Sequence, residues 1–350
     1  MSDYTPGQLV CPIPISEYPK VLLAHGGGGT LMHQLIGKIF APTFKSDLQQ
    51  AEHDAATLPI NGGRIAFTTD SFVVNPMIFP GGNIGSLAVH GTVNDLAMAG
   101  AKPLYLSAGF ILEEGLDMET LWTVVQAMQS AAEEAGVQIV TGDTKVVDRG
   151  KGDGVFINTA GIGLIPDDVE ISPKRIEPGD AVIVNGDLGR HGMAIIAARE
   201  GIGFETSIES DSASLHHLVS ALLANGINVH CLRDLTRGGL VSATNELASA
   251  SGHSIQINEA SLPVREDVNA MCELLGFDPM SVANEGRFMA VVAPDDAEKA
   301  VEILRGLPHG EGAVAIGTVS EGGSLVTLKS RFGAARVLSM LSGEQLPRIC

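Results

Sequence analysis

The chain has 350 residues, 45% hydrophobic and 18% charged, a globular balance long enough for two domains with their own cores. Its formal charge of −19 excludes a nucleic-acid surface, which needs clustered Lys and Arg. No apolar run approaches the roughly 18 residues that span a membrane. The first ten residues have neither a basic nor an apolar leader region, and Cys11, Cys231, Cys272 and Cys350 are scattered without a CxxC. A reduced, cytoplasmic protein is expected.

Residues 1–20 are rich in proline and read as an irregular arm. The apolar run Val21–Ala24 then meets His25-Gly26-Gly27-Gly28-Gly29-Thr30, after which Leu31, Leu35, Ile36 and Ile39 recur at helical spacing. Strands and helices alternate from about residue 63: strand 65–69, helix 86–99, strand 103–112, an amphipathic helix over 121–135 closed by Gly136, and strands 137–141 and 155–164. The segment 165–180 carries Pro166, Pro173 and Pro178 and reads as a linker. A second set follows, with strand 181–184, helices 191–200, 212–224, 239–249 and 264–275, and strands 288–293, 314–319 and 325–328. The last stretch, Gly343 to Cys350, has no periodicity and contains Pro347, so it reads as an extended arm reaching roughly 25 Å.

Glycine makes up 42 residues, about 12% against a usual level near 7%, and it gathers in short loops. The loop His25–Thr30 opens a helix and would offer free amides and a positive dipole end to an anion. No Lys-Ser or Lys-Thr follows it, so it is not a Walker A sequence. Phe79-Pro80-Gly81-Gly82-Asn83-Ile84-Gly85 is a second loop of this kind.

Three aspartates accompany these loops. Asp70 and Asp143 close predicted strands, and Asp95 lies in the helix 86–99. Carboxylates without matching His or Cys suit a hard cation such as Mg²⁺ bridging to phosphates, and each also suits an N-cap or turn. Lys145 follows Gly142-Asp143-Thr144 and could face a phosphate or a developing oxyanion. Glu285, in Ala283-Asn284-Glu285-Gly286, could act as a base once desolvated. The string Arg233–Gly239 reads as an anion contact or a capping network. Cys350 ends the arm, where a thiol packs against nothing; its own carboxylate opposes ionisation and Arg348 favours it.

The strings His25–Gly29, Thr69–Phe72, Phe79–Gly85, Gly91–Leu96, Thr141–Val147, Arg233–Gly239, Ala283–Gly286 and the ending Pro347-Arg348-Ile349-Cys350 together resemble the hydrogenase maturation proteins of the HypE family. The likeness runs in order from about residue 21 to the end, and the last four residues are its most specific part. Gly-Asp-Thr-Lys and Asn-Asp-Leu recur more loosely in relatives that make selenophosphate or aminoimidazole ribonucleotide.

The resemblance implies an α/β (α+β) fold of the two-domain aminoimidazole ribonucleotide synthetase type with a flexible C-terminal arm. Its expected divisions are an N-terminal arm and Gly-rich loop over 1–44, an ATP-binding domain over 45–168, a second domain over 169–336 and a mobile tail over 337–350. It implies a homodimer that binds ATP and Mg²⁺, with Asp70, Asp95 and Asp143 on the metal and His25, Gly26, Gly27, Gly28, Gly82, Asn94, Thr141 and Gly142 around the nucleotide. It implies that a carbamoyltransferase, HypF, loads a carboxamide onto Cys350. ATP-dependent dehydration, with Lys145 and Glu285 acting, then gives a thiocyanate whose cyanide passes to iron on HypC–HypD. Phosphorylation of a small nucleophile such as selenide, and a non-catalytic assembly scaffold, are the alternatives. The first would want a reactive cysteine beside a glycine loop, and Cys11 lies outside one.

Overall fold

The computed structural model describes residues 29–35, 37–38, 54–60, 63–201, 208–340 and 348–350. The first domain is a five-stranded sheet in the order β1-β2-β7-β5-β6, with β1 at Ala56–Ile60, β2 at Gly63–Phe72, β5 at Lys102–Glu113, β6 at Gln138–Val147 and β7 at Val155–Ile165. β5 and β6 run parallel, and the other neighbours are antiparallel. Strand alternation gives this sheet two unlike faces. In β2, Ala66, Thr68 and Phe72 are buried, while Phe67, Thr69 and Ser71 are exposed. Helix α1 is Thr30–Leu35, and two helices, α2 at Ile84–Met98 and α3 at Met118–Glu134, cover the first face. The short pair β3, Ile78–Phe79, and β4, Gly82–Asn83, leads into α2.

The second domain carries a seven-stranded sheet in the order β14-β13-β10-β12-β8-β11-β9. Its elements are β8 Ala181–Val184, α4 Arg190–Glu200, α5 His216–Ala224, β9 Val229–Asp234, α6 Gly239–Ser251, β10 Ser254–Asn258, α7 Glu266–Leu275, β11 Phe288–Val292, α8 Ala297–Arg305, β12 Val314–Ser320, β13 Val326–Lys329 and β14 Ala335–Val337. β8 and β11 are buried throughout, as their unbroken apolar sequences require.

Helix α2 joins the two domains. It is apolar on nearly every side, and all its residues but Ser86 and Asp95 are buried, the pattern of a helix inside a core. Its Leu96, Ala97 and Met98 share one core with Leu215, Leu218 and Phe288 of the second domain. A second core joins Phe72 and Ile84 to Met193, Ile195 and Val282. Truncating such a residue, Leu96→Ala for example, costs about 2–5 kcal/mol. The interface is therefore rigid, and α2 packs against both β2 and β9 within it.

Several sequence expectations change. Asp70 and Asp143 lie inside β2 and β6 rather than at strand ends. The helix expected from residue 212 begins at His216. Strands β1, β9, β10 and β14 and helix α8 were not expected. Positions 1–28, with Cys11 and the His25–Gly28 loop, lie outside the described residues, as does 341–347.

Candidate active site

The rigid interface brings acidic side chains together from distant parts of the chain. One oxygen each of Asp54, Asp95 and Asp234 lies within 4.8 Å of the others. Asp54 precedes β1, Asp95 is one of the two less buried residues of α2, and Asp234 ends β9. Thr68 on β2 donates to Asp95 Oδ2 at 2.7 Å. Arg233 bonds Asp54 and donates to Glu246 Oε2 at 2.6 Å, and His33 Nε2 lies 3.0 Å from Glu246 Oε1. Burial and mutual repulsion push the carboxyls of Asp54 and Asp95 well above the usual range, although Arg233 opposes this at Asp54. Asp234 is pushed up to about 6, chiefly by burial. Asp54 Oδ2 is buried without a hydrogen-bond partner. An orphaned carboxylate oxygen among like charges fits a bound cation, and the all-oxygen donor set suits Mg²⁺.

Asp70 and Glu285 extend this cluster. Burial raises the Asp70 carboxyl, while nearby Arg237 and the Ser71 amide, 2.7 Å from Oδ1, pull it down. Glu285 is only 3% exposed, and its Oε1 lacks a hydrogen-bond partner. Burial, then the charges of Asp234, Asp70 and Asp211, raises it well above an ordinary Glu. Its backbone is fixed by Asp211, whose two oxygens accept from the amides of Glu285 at 3.3 Å and Gly286 at 3.2 Å. Only glycine fits at 286, because a Cβ there would stand 1.8 Å from the Asp211 carbonyl oxygen.

Cys350 is seated in this acidic site. The expectation of a thiol packed against nothing is corrected by backbone bonding that a sequence does not display. The amides of Val73 and Asn75 donate to the backbone oxygens of Cys350 at 3.0 Å and Arg348 at 3.2 Å. Arg348 pairs with Asp153, and Ile349, 3% exposed, joins the core that contains Phe72 and Met193. Burial pushes the Cys350 thiol well up; Arg237 pulls it down, and Glu285, Asp70 and Asp234 raise it again.

Other expected residues stand elsewhere. Asp143 and Lys145 are not brought to Asp70 and Asp95 within one chain: they lie on edge strand β6, paired at 2.6 Å and each 69% exposed. They line a groove of about 430 Å³ whose other wall includes Ser71 and Val73, the residue that binds Cys350. Thr141 and Gly142 lie exposed on the same strand, and Gly142 packs where a Cβ would meet Ala108 O at 2.2 Å. The loop of Gly82 offers no free helix-end amides, because Asn83 Oδ1 accepts from both Gly85 and Ser86 in a capping box. Gly81, at φ +90°, lets this turn pack on Ser210. Asn94 is a staple: it donates to Ala213 O at 3.0 Å and accepts from the Leu215 amide at 2.8 Å. Asp54 and Asp234 escaped sequence reasoning, although Asp234 sat inside the noted string Arg233–Gly239.

The fold and this site define a class. Residues 52–165 match the N-terminal domain of AIR synthase related proteins, and residues 177–329 match the C-terminal domain. Carbamoyl dehydratase HypE of Azotobacter vinelandii is 50% identical over 332 residues, covering 95% of this chain and 97% of that protein. The HypE of Escherichia coli is 46% identical over 336 residues, covering 95% and 99%. A crystal structure of HypE in complex with ATP superposes with a TM-score of 0.80 at 48% identity, covering 95% of this chain and 100% of that one. A HypE–HypF complex matches with a TM-score of 0.84 at 46% identity, covering 88% and 99%. The chain belongs to the HypE family of carbamoyl dehydratases, enzymes of hydrogenase maturation. Among the described residues no helix is long and apolar enough to cross a membrane.

Proposed function

We propose that the chain carries a carboxamide on Cys350 and, using ATP, dehydrates it to a thiocyanate. The observation that carries this reading is the seating of Cys350 beside Glu285, Asp70 and Asp234. The overall change is balanced: the S-carboxamide and ATP give the S-cyanide, ADP and phosphate. The carboxamide oxygen leaves as phosphate after taking the terminal phosphoryl group, and its nitrogen loses two protons.

Each residue has a task in this reading. Asp54, Asp95 and Asp234, with Asp70 beside them, hold Mg²⁺ and the nucleotide phosphates. The cation supplies charge neutralisation between the carboxylates and the phosphates. Glu285, raised by burial, is a stronger base than an exposed carboxylate and takes protons from the carboxamide nitrogen. Lys145, with Asp143, approaches through the groove that ends at Val73 and stabilises charge on the departing oxygen. The buried seat keeps water from the activated carboxamide, which would otherwise hydrolyse.

The same burial makes the seated thiol a poor nucleophile. Loading by HypF therefore takes place with the tail withdrawn, and dehydration with it seated. The product cyanide is handed to iron held by HypC–HypD. A second copy of the chain covers the open face of the first sheet, where Phe67, Tyr105, Ile111, Val140, Ile162 and Leu164 are exposed. The His25–Gly28 loop belongs to the nucleotide site in this reading, and the protein works in the cytoplasm. Incubating the chain with HypF, carbamoyl phosphate and ATP, then weighing the C-terminal peptide, tests the proposal. A carboxamide adduct that loses one water only when ATP is present is expected; an adduct that persists with ATP would sink it.

A further inference from the structure

In the described tail, residues 348–350, each residue's backbone oxygen has a donor, and one of those donors is unlike the rest. The Cys350 and Arg348 backbone oxygens take the amides of Val73 and Asn75, as a strand would. The Arg348 carbonyl also takes Arg199 Nη2 at 2.7 Å. Arg199 bonds the Asn75 carbonyl as well, through Nε at 2.9 Å and Nη2 at 2.6 Å, so it remains engaged when the tail leaves. The Ile349 carbonyl instead lies 2.8 Å from Nε2 of His191, on α4 and fully buried.

The surroundings of His191 fix which nitrogen carries the proton. Ser210 Oγ accepts the Ser212 amide at 3.0 Å and lies 2.8 Å from His191 Nδ1. The Ile349 carbonyl can only accept, so the proton sits on Nε2, and the bare Nδ1 accepts the Ser210 hydroxyl proton. Nε2 is left as the N–H donor, directed at Ile349. Burial lowers the pKa of the imidazole, so the ring is neutral near pH 7. Phe79 meets the ring edge-on, with centroids 5.6 Å apart at 88°. Ser210 is itself pinned, its amide donating to the Pro80 carbonyl at 2.8 Å. The imidazole is thus held on both of its nitrogens when the tail is seated. When the tail withdraws, the Nε2–H loses the partner it has here, inside a buried site.

We infer that His191 is a positioning residue for the dehydration: its Nε2–H, aimed by Ser210, grips the Ile349 carbonyl and sets where the Cys350 sulfur rests beside Glu285. This rests on the proposal that Cys350 carries the reacting group, but its test does not. Ile349 and Cys350 share one peptide unit, so the grip acts on the atoms nearest the thiol that can be held without touching it. Two backbone donors fix the line of the tail, and the histidine fixes its depth.

The experiment measures the rate at which iodoacetamide alkylates Cys350 in the full chain, read from the mass of the C-terminal peptide. The buried Cys231 and Cys272 serve as internal references. His191→Phe keeps the ring and its edge contact but removes the donor. It should alkylate about tenfold faster, the worth of one net hydrogen bond. His191→Gln places an amide N–H near the position of Nε2 and should return the rate toward that of the unaltered chain. Ser210→Ala frees the tautomer and should raise the rate a few-fold; it decides the matter if the phenylalanine variant does not fold. In single turnovers, His191→Phe should load at an unchanged or faster rate and dehydrate more slowly. An alkylation rate unchanged in His191→Phe or in Ser210→Ala, or a glutamine variant as fast as the phenylalanine one, overturns the inference. Failure to form thiocyanate in the unaltered chain would overturn the carrier proposal and leave these rates unaffected.

Discussion

Asp70 and Asp143 project from opposite faces of one five-stranded sheet. Asp143 lies opposite Gly109, Gly109 opposite Asn158, and Asn158 opposite Ser71, so Asp143 shares the face of Ser71, not of its neighbour Asp70. Asp70 turns toward α2, where Asp95 meets Asp54 and Asp234. In the proposed function the cation therefore depends on Asp54 and Asp234. Asp54→Asn, Asp95→Asn and Asp234→Asn should each keep the fold and lose Mg²⁺-dependent ATP hydrolysis, because a neutral amide is a poorer Mg²⁺ ligand. A phosphate-release assay at saturating Mg²⁺ checks this; full activity in any of the three removes that residue from the metal site.

The same cluster sets a pH dependence of stability. Asp234 is raised to about 6 and Asp54 and Asp95 are raised well above their ordinary values, so the folded chain holds these protons longer than the unfolded chain does. Their contribution is fully present below the ordinary carboxylate pKa of about 4 and is lost as pH rises through the folded values. Without Mg²⁺, Tm should fall between about pH 5 and about pH 7.5, by roughly 2–4 °C for each 1 kcal/mol lost. Mg²⁺ should restore more at the higher pH, and Asp234→Asn should flatten the slope. Thermal melts across this range measure it, and a Mg²⁺ gain independent of pH contradicts it.

Lys145 and Glu285 should separate from nucleotide binding. Lys145→Ala and Glu285→Gln are expected to bind ATP within about threefold of the unaltered chain and to accumulate the S-carboxamide on Cys350. Because burial raises Glu285, single-turnover dehydration should gain rate with pH along a limb lying above the ordinary Glu value of 4.5. A loss of ATP affinity equal to the loss of turnover would put either residue in the nucleotide site instead.

Gly286→Ala should be among the most damaging single-methyl changes in the chain. Its Cβ would stand 1.8 Å from the backbone oxygen of Asp211, which cannot move without releasing the amides of Glu285 and Gly286. A loss on the order of 3 kcal/mol or more is expected in urea unfolding. A loss under 1 kcal/mol would mean that the Asp211 turn yields easily.

Much of this architecture is legible in the sequence, and the gaps have physical causes. Alternation along residues 65–69 and 155–164 and the apolar stripe of 121–135 announce their elements, because each has one buried and one open side. β9 hides because His230, Arg233 and Asp234 interrupt its apolar run, and the partners Asp180 of His230 and Asp54 of Arg233 lie far along the chain. The acidic cluster hides for a similar reason: Asp54, Asp95 and Asp234 meet only through the packing of α2 between domains. Glu285 could be named from its string, but its raised carboxyl comes from burial that no local pattern displays. The seat of Cys350 was least visible, since the amides of Val73 and Asn75 that hold it leave no side-chain signature.

The most direct measurement of the central claim is the mass of the cyanide-bearing peptide. The unaltered chain, Cys350→Ala and Cys11→Ala are each incubated with HypF, carbamoyl phosphate and ATP, then digested and weighed. The account predicts an S-cyanide at Cys350 in the unaltered and Cys11→Ala proteins, and neither carboxamide nor cyanide in Cys350→Ala, with fold and ATP binding retained. Protein-bound thiocyanate in Cys350→Ala, or its absence from Cys11→Ala, would contradict it.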